Sequence, residues 1–303
     1  MEVIKNRMEL LFLYDVKDGN PNGDPMDENK PRIDDETKVN FVTDVRLKRT
    51  IRDYLYKFKG YDGTGDKDIF CRQTEMETGG LKDGKNRALD YGKKKEEMLP
   101  KILKSCIDIR LFGGVIPLDK DSITFTGPVQ FKMGRSLHRV ELNHIKGTGA
   151  FASKAGANQQ TFREEYVLPY SLIAFYGVIN ENAAKETGLS DNDVEELLEG
   201  MWNGTKNLLS RSKMEHNPRL LLKIKHKKEN FFIGELDKLI TLEKELPDEK
   251  LRDISEVKIN LKLFSEKIKK IKDNVEKIEI VKDDRCIIVN YEEIKDLINL
   301  RSV

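Results

Sequence analysis

The apolar positions of this chain change period several times along its length, and each change marks an element. Met8–Val16, MELLFLYDV, is an unbroken apolar run of strand length and predicts a buried first strand. It ends in the turn-rich Lys17-Asp18-Gly19-Asn20-Pro21-Asn22-Gly23-Asp24-Pro25. Residues 42–58, VTDVRLKRTIRDYLYKF, then switch to helical spacing. Leu47, Ile51, Tyr54, Leu55 and Phe58 fall on one stripe that should face inward, with Thr43 as N-cap and Asp44 beside the positive helix end. Arg49, Arg52 and Tyr56 gather on the opposite side, flanked by Lys48.

Residues 60–105 are rich in Gly, Lys and Asp, with a helical stretch only from Tyr91 to Ser105. Ile123–Phe131 and Tyr166–Ile179 predict strands, the first with a bulge or an edge at Gly127-Pro128. Leu189–Ser210 predicts a helix capped by Ser190, with Val194, Leu197, Leu198, Met201, Leu208 and Leu209 as its stripe. Leu220, Leu222 and Ile224 alternate with Lys223 and Lys225, a strand with one cationic face. From residue 229 the pattern gives one or two helices to about Asn274, then a hairpin of Lys277–Val281 and Cys286–Asn290 turning at Asp283-Asp284.

The resulting order is strand, helix, strand, strand, helix, strand. The fold class is therefore α+β, with a ferredoxin-like or RRM core carrying large insertions and a helical plus hairpin C-terminal extension. The core should span 1–228, interrupted at about 60–105 and 133–165, with 229–303 packed on it. Such open sheets and their loops commonly bind single-stranded RNA. The stacking aromatics usual on an RRM sheet are not evident here, so contact should fall on the first helix, its preceding loop and the second insertion.

Composition narrows this little. Over 303 residues, 54 basic and 53 acidic side chains nearly cancel, so bulk charge does not announce a nucleic-acid binder. Its distribution says more. Residues 132–154 hold Lys132, Arg135, Arg139, Lys146 and Lys154 against Glu141 alone, and 206–228 are similarly basic. Three cysteines without CxxC spacing argue against a disulfide framework or a structural zinc. No long apolar run or signal-peptide pattern occurs, which points to a soluble, cytoplasmic protein.

Other chemistry is weaker. Gly79-Gly80-Leu81-Lys82-Asp83-Gly84-Lys85-Asn86 approaches a P-loop, but Asn86 replaces the Ser/Thr that would hold magnesium and no apolar strand precedes it. Asp15, Asp18, Asp24, Asp34 and Asp35 could supply a metal-dependent ribonuclease, although bracing turns and caps is the simpler role. His138, His144, His216 and His226 form no i, i+4 pair and no HExxH. No metal, cofactor or catalytic residue is expected.

Three blocks in sequence, LFLYDVKDGNPNGDP, PRID and VTDVRLKRTIRDYL, resemble the CRISPR-associated backbone subunit of the type I-B Cascade surveillance complex, with the type I-C subunit next nearest. Arg110-Leu111-Phe112-Gly113, Gly127-Pro128-Val129-Gln130-Phe131, Arg135-Ser136 and Val167-Leu168-Pro169-Tyr170 agree, so the likeness covers roughly residues 7–235. It implies a non-catalytic protein whose copies polymerise along a CRISPR guide RNA and present its bases to a target DNA strand. Its further partners would be other Cascade subunits and, indirectly, a recruited helicase-nuclease. The insertions would be the family's fingers and its thumb, a hairpin that folds over the guide. Lys48, Arg49 and Arg52 match positions that contact guide phosphates, and Asn20, Asn22 and Thr43 match positions near the guide backbone. Arg135 and Lys154 would be thumb-side contacts, and Phe151 a wedge between bases. A stand-alone RNA-binding regulator remains the alternative within the same chemistry.

Overall fold

The structure, a computed structural model, describes residues 2–118, 121–152 and 160–301, except for the side chains at 149–152 and 160–162. The apolar run of the N-terminus becomes β1 (Met8–Gly19), the centre of a nine-stranded sheet. After it come β2 (Val39–Val42), α1 (Asp44–Phe58) and α2 (Lys95–Ser105). Next are β3 (Val129–Phe131), β4 (Gly134–Arg139), β5 (Asn143–Ala152) and the long β6 (Gln160–Ile179). Finally α3 (Asp191–Lys206), β7 (His216–His226), α4 (Lys262–Lys270), β8 (Val275–Lys282) and β9 (Ile298–Leu300) complete the chain. The sheet runs β9-β8-β7-β1-β6-β4-β2, with β3 and β5 also paired to β6.

β1 is antiparallel to both neighbours, Phe12 opposite Phe175 of β6 and Leu11 opposite Leu222 of β7. Strand period 2 therefore sends its side chains to two cores. Leu10, Phe12, Tyr14 and Val16 join Leu47, Ile51, Leu55, Leu197 and Met201 beneath α1 and α3. Leu11 and Leu13 face the other way, into a core closed by Leu236, Ile259, Phe264 and Ile268 of the C-terminal region. A strand buried on both faces needs an unbroken apolar run, and this one has it. The covered second face also explains why no stacking aromatics were found: that face meets protein, not solvent.

Several expectations change. Phe58 is 58% exposed, its place on α1 taken by Thr50, and Leu209 is 72% exposed beyond the end of α3. Residues 123–131 do not form one strand. Ser122–Thr126 pairs with Gly113–Pro117 as a separate hairpin, and β3 begins after Gly127-Pro128. At this break a Cβ on Gly127 would lie 2.0 Å from the Phe112 carbonyl carbon, so only glycine lets the two backbones pass. The expected hairpin at 277–290 is absent: β8 pairs with β7 and β9, while Ile288–Val289 pairs with Val257–Asn260. The stretch from 229 to 274 holds a single α-helix, α4, among short strands and 3₁₀ turns.

The segment between α1 and β3 has a core of its own, with Phe70, Tyr91, Met98, Ile102 and Ile116. It is fastened to α3 by Arg110, whose guanidinium grips Asp193 at 2.8 and 3.1 Å and caps the α2 carbonyls of Leu103 and Lys104.

Candidate nucleic-acid interface

Where β1 ends, the chain makes the Asn20-Pro21-Asn22 bend and returns to the start of α1. Thr43 caps the helix as expected, its Oγ1 accepting from the Arg46 N–H. The bend is tied to that cap: Asn22 Oδ1 accepts from Thr43 N–H at 3.0 Å and from its hydroxyl at 2.9 Å. Asn20 is buried, its amide donating to the Asn29 carbonyl at 2.6 Å, so its side chain sets the loop's shape rather than facing solvent. The helix dipole favours negative charge at this end, where Asp44 already places a carboxylate.

On the outer face of α1 the expected cations are present, each with a carboxylate. Lys48 meets Asp44 at 2.9 Å and Arg49 meets Asp53 at 2.7 Å, both one turn away. Arg52 donates at 2.9 Å to Asp108, which is fully buried and also accepts from the backbone N–H groups of Phe70 and Cys71. Lys48 and Arg52 lie over the Phe112 ring at 5.6 and 5.1 Å, and both are mostly buried. Arg49 is the exposed member, its side chain 59% accessible. Together with Arg52, Tyr56, Arg72, Lys82 and Arg87 it lines an open cleft of about 540 Å³ between α1 and the 60–112 segment.

A second cationic group lies at the start of α1, and the charge pattern alone did not mark it. The charge of Arg46 (α1) bears on Lys213 (the loop before β7), and both bear on His216 (β7), whose ring lies 5.9 Å from that of Tyr14 on β1. Lys213 Nζ donates at 2.5 Å to the Asn20 carbonyl and sits 3.4 Å from that of Pro21, locking the bend from below. Burial and the nearby Arg46 guanidinium push the Lys213 ammonium down to about 8. His216 is 2% exposed and neither ring nitrogen has a partner, while Arg46 Nε and Asn20 Oδ1 are also buried and unpartnered. Among the described residues no carboxylate is ion-paired with Arg46 or Lys213; Asp53 acts on Arg46 only from a distance and is held by Arg49. Periodicity alone does not mark Arg46, because it stands next to the buried stripe. The signal that could have found it is its place three residues after the N-cap.

The remaining expected positions scatter. Arg135 is exposed on β4, its guanidinium 5.9 Å from the Phe41 ring. Phe151 lies on β5, of whose side chain nothing is described, and Lys154 falls outside the described residues. The cationic face expected on β7 is neutralised: Lys223 meets Glu279 at 2.6 Å and Glu195 at 3.1 Å, and Lys225 meets Glu276. The near P-loop is a capped turn, Asp83 accepting from the Asn86 N–H where a phosphate would sit. The N-terminal aspartates brace separate places: Asp15 holds Arg219, Asp24 holds Arg32, and Asp34 caps the Thr37 turn. Among the described residues no group of three or more His, Cys, Asp or Glu is disposed to hold a metal.

A family profile described as CRISPR-associated protein Cas7 matches residues 6–262. The chain belongs to the Cas7 family. A Cas7 protein of Haloferax volcanii is 32% identical over 311 aligned positions, covering 92% of this chain and 88% of the relative. Two solved chains share the fold at 12% identity. One is from a CRISPR RNA-guided surveillance complex in a pre-nicking state (TM-score 0.57, 95% of this chain and 97% of that one), the other from a CRISPR RNA-guided surveillance complex (0.52, 95% and 96%). The Cas7 match includes the bend, α1, Lys213 and His216, and ends at the first residue of α4. No helix among the described residues is long and apolar enough to cross a membrane.

Proposed function

We propose that this chain is the backbone subunit of a type I CRISPR surveillance complex, of the I-B kind, and holds a guide RNA by its phosphates without cutting it. What carries this reading is the conjunction of Cas7 family membership with Arg46 and Lys213 near the start of α1, which among the described residues are ion-paired with no carboxylate. Phosphates bind such a place without regard to base sequence, so specificity belongs to the guide. Asn22 and Thr43 set the bend, Arg49 and Arg135 offer exposed charge, and Lys48, Arg52 and Asn20 hold the surface in shape. Lys154 and Phe151 would keep the thumb-side roles that the resemblance implies.

The strand order β7-β1-β6-β4, with α1 and α3 on one face, supports a ferredoxin-like or RRM core at 1–228. The 60–105 insertion is then the fingers, the 133–165 insertion with the β5–β6 hairpin is the thumb, and 229–303 is an extension that closes the sheet. Further copies, other Cascade subunits, a target DNA strand and a recruited helicase-nuclease are its partners in the cytoplasm. The test is native mass measurement on guide RNAs of stepped length. Protein mass should rise in steps of one 35.0 kDa chain as RNA lengthens. A single one-to-one complex at every length, or cleavage of RNA with magnesium, would overturn the reading.

A further inference from the structure

We propose that the C-terminal extension is the brace that aims the β5–β6 hairpin, with Asp248 as the positioning residue at the hairpin's root. This rests on the function proposed above, in which the hairpin serves RNA binding, and gives the extension a part in it. The hairpin leaves the sheet partway along one strand. Residues 168–179 of β6 pair with β1, whereas residues 160–167 pair with β5. A two-stranded ribbon has little stability or fixed direction of its own, so its root has to be held by something else.

The root is where β4 ends. β4 pairs with β6 only at Arg135 and Ser136, so its later amides on that side have no strand neighbour. The Val140 N–H donates to the Lys38 carbonyl at 2.9 Å, on the side of β2. By strand period the Arg139 N–H points the other way. There Asp248 Oδ2, from the 3₁₀ turn Asp248–Lys250 of the extension, accepts from it at 3.0 Å. The Arg139 carbonyl lies 2.8 Å from Nδ1 of the buried His138, whose Nε2 accepts from the Leu172 N–H. Both backbone polar groups of Arg139 are thus held by side chains, one of them from 109 residues later. Asp248 is itself fixed, its Oδ1 lying 2.7 Å from Lys244 Nζ. Two further pairs grip the same strand: Glu249 meets the Arg139 guanidinium at 3.1 Å, and Asp237 meets Lys132 at 3.2 Å just before β4. Exposed pairs of that kind add little. A carboxylate on a main-chain N–H fixes the strand itself, which singles out Asp248. Residues 140–142 then lead straight into β5, so the direction of the chain at Arg139 sets that of the hairpin. On the returning strand Tyr166 donates to Glu28 at 2.8 Å, a second point of attachment.

The test reads direction first, without RNA. Spin labels at Ile145→Cys on β5 and Phe58→Cys on α1, both exposed, go into the full-length protein carrying Cys71→Ser, because Cys71 is the exposed native thiol. Pulsed dipolar measurement should give a narrow distance distribution in this background and an about twofold broader one with Asp248→Ala, as the root frays. Asp248→Asn keeps an acceptor for the Arg139 N–H and should stay narrow. Glu266→Ala, at an exposed acid of α4, should stay narrow as well. Binding of an oligoadenylate should weaken about tenfold for Asp248→Ala, because the hairpin must then be ordered as RNA binds, and hardly at all for Asp248→Asn. Should Asp248→Ala fail to fold, hydrogen exchange of the Arg139 amide in the unaltered protein decides: the brace slows it about tenfold or more relative to an unpaired amide. An equally narrow distribution with Asp248→Ala, an unprotected Arg139 amide, or a broadened distribution with unchanged RNA affinity overturns the brace. No RNA binding by the unaltered protein overturns the function proposed above, and the distances still decide whether the extension aims the hairpin.

Discussion

The two cationic groups on α1 contrast in how their charge is met. Lys48, Arg49 and Arg52 lie on the face where helical periodicity places them, and each has a carboxylate within 3 Å. Arg46 lies nearer the helix start, against the buried stripe; its guanidinium donates to Thr50 Oγ1 at 2.9 Å, feels Asp53 only from a distance, and bears on Lys213. A wheel drawn from the sequence ranks them the other way round. The difference shows that helical periodicity counts the cations on a face but not which of them a carboxylate already neutralises. Ion pairs on the outer face stabilise α1 and its seat on Phe112; on the function proposed above, the group without a carboxylate is the one left to meet RNA.

Breaking the contrast at its strong end gives the largest effect. Arg46→Ala should weaken RNA binding roughly ten- to hundredfold, the worth of a hydrogen bond to a charged group in a partly buried site. It should also flatten the dependence of log affinity on log salt by about 0.7, one phosphate contact on a single strand. Arg49→Ala should cost only a few-fold, because part of its charge is already satisfied by Asp53. Titration at several salt concentrations separates the two. Equal losses from both substitutions would erase the distinction.

At the paired end the effect moves from binding to stability. Arg52→Ala leaves Asp108 fully buried with only the two backbone donors at Phe70 and Cys71, and should lower stability by about 1–3 kcal/mol. Arg49→Ala removes an exposed pair and should stay within about 0.5 kcal/mol of wild type. Urea denaturation of the free protein reads both. A large loss for Arg49 would mean that its pair with Asp53 does more for α1 than exposure allows.

Much of the scaffold was legible because local chemistry agreed with the tertiary outcome. β1, the Thr43 and Ser190 caps, α1 and the stripe of α3 to Met201 all follow from period, cap and charge. Phe58 was misjudged because periodicity gives direction but not where the neighbouring layer ends. Lys223 and Lys225 appeared as a cationic face because a sequence does not show which acids β8 and α3 bring opposite them. The C-terminal region was misjudged most: Cys286–Asn290 pairs with a strand near residue 259 rather than with its neighbour in sequence. Around the start of α1 the bend, the Thr43 cap and the outer-face cations are legible in the sequence, whereas the grouping of Arg46 with Lys213 is not. Lys213 and His216 lie some 170 residues beyond Arg46, and only the β1–β7 pairing brings them together.

A smaller effect sharpens the comparison from the other side. Asp53→Asn frees Arg49 without moving its chain, so RNA affinity should rise about two- to threefold at low salt and the salt dependence should steepen. No gain would mean that Arg49 never reaches a phosphate.

The finest distinction is the pH dependence of the protein free of RNA. Lys213 holds its proton less tightly folded, at about 8, than unfolded, near its ordinary 10.5. Between those values the unfolded chain binds more protons, so this group's contribution to stability rises with pH. Its cost is fully present below pH 8 and is relieved as pH climbs toward 10.5. Wild type should therefore gain on Lys213→Met in melting temperature when both are moved from pH 7 to pH 9. Arg49→Met, whose charge is paired and exposed, should show no such drift over the same interval. A parallel drift in both variants would place the titrating group elsewhere and remove the asymmetry between the two ends of α1.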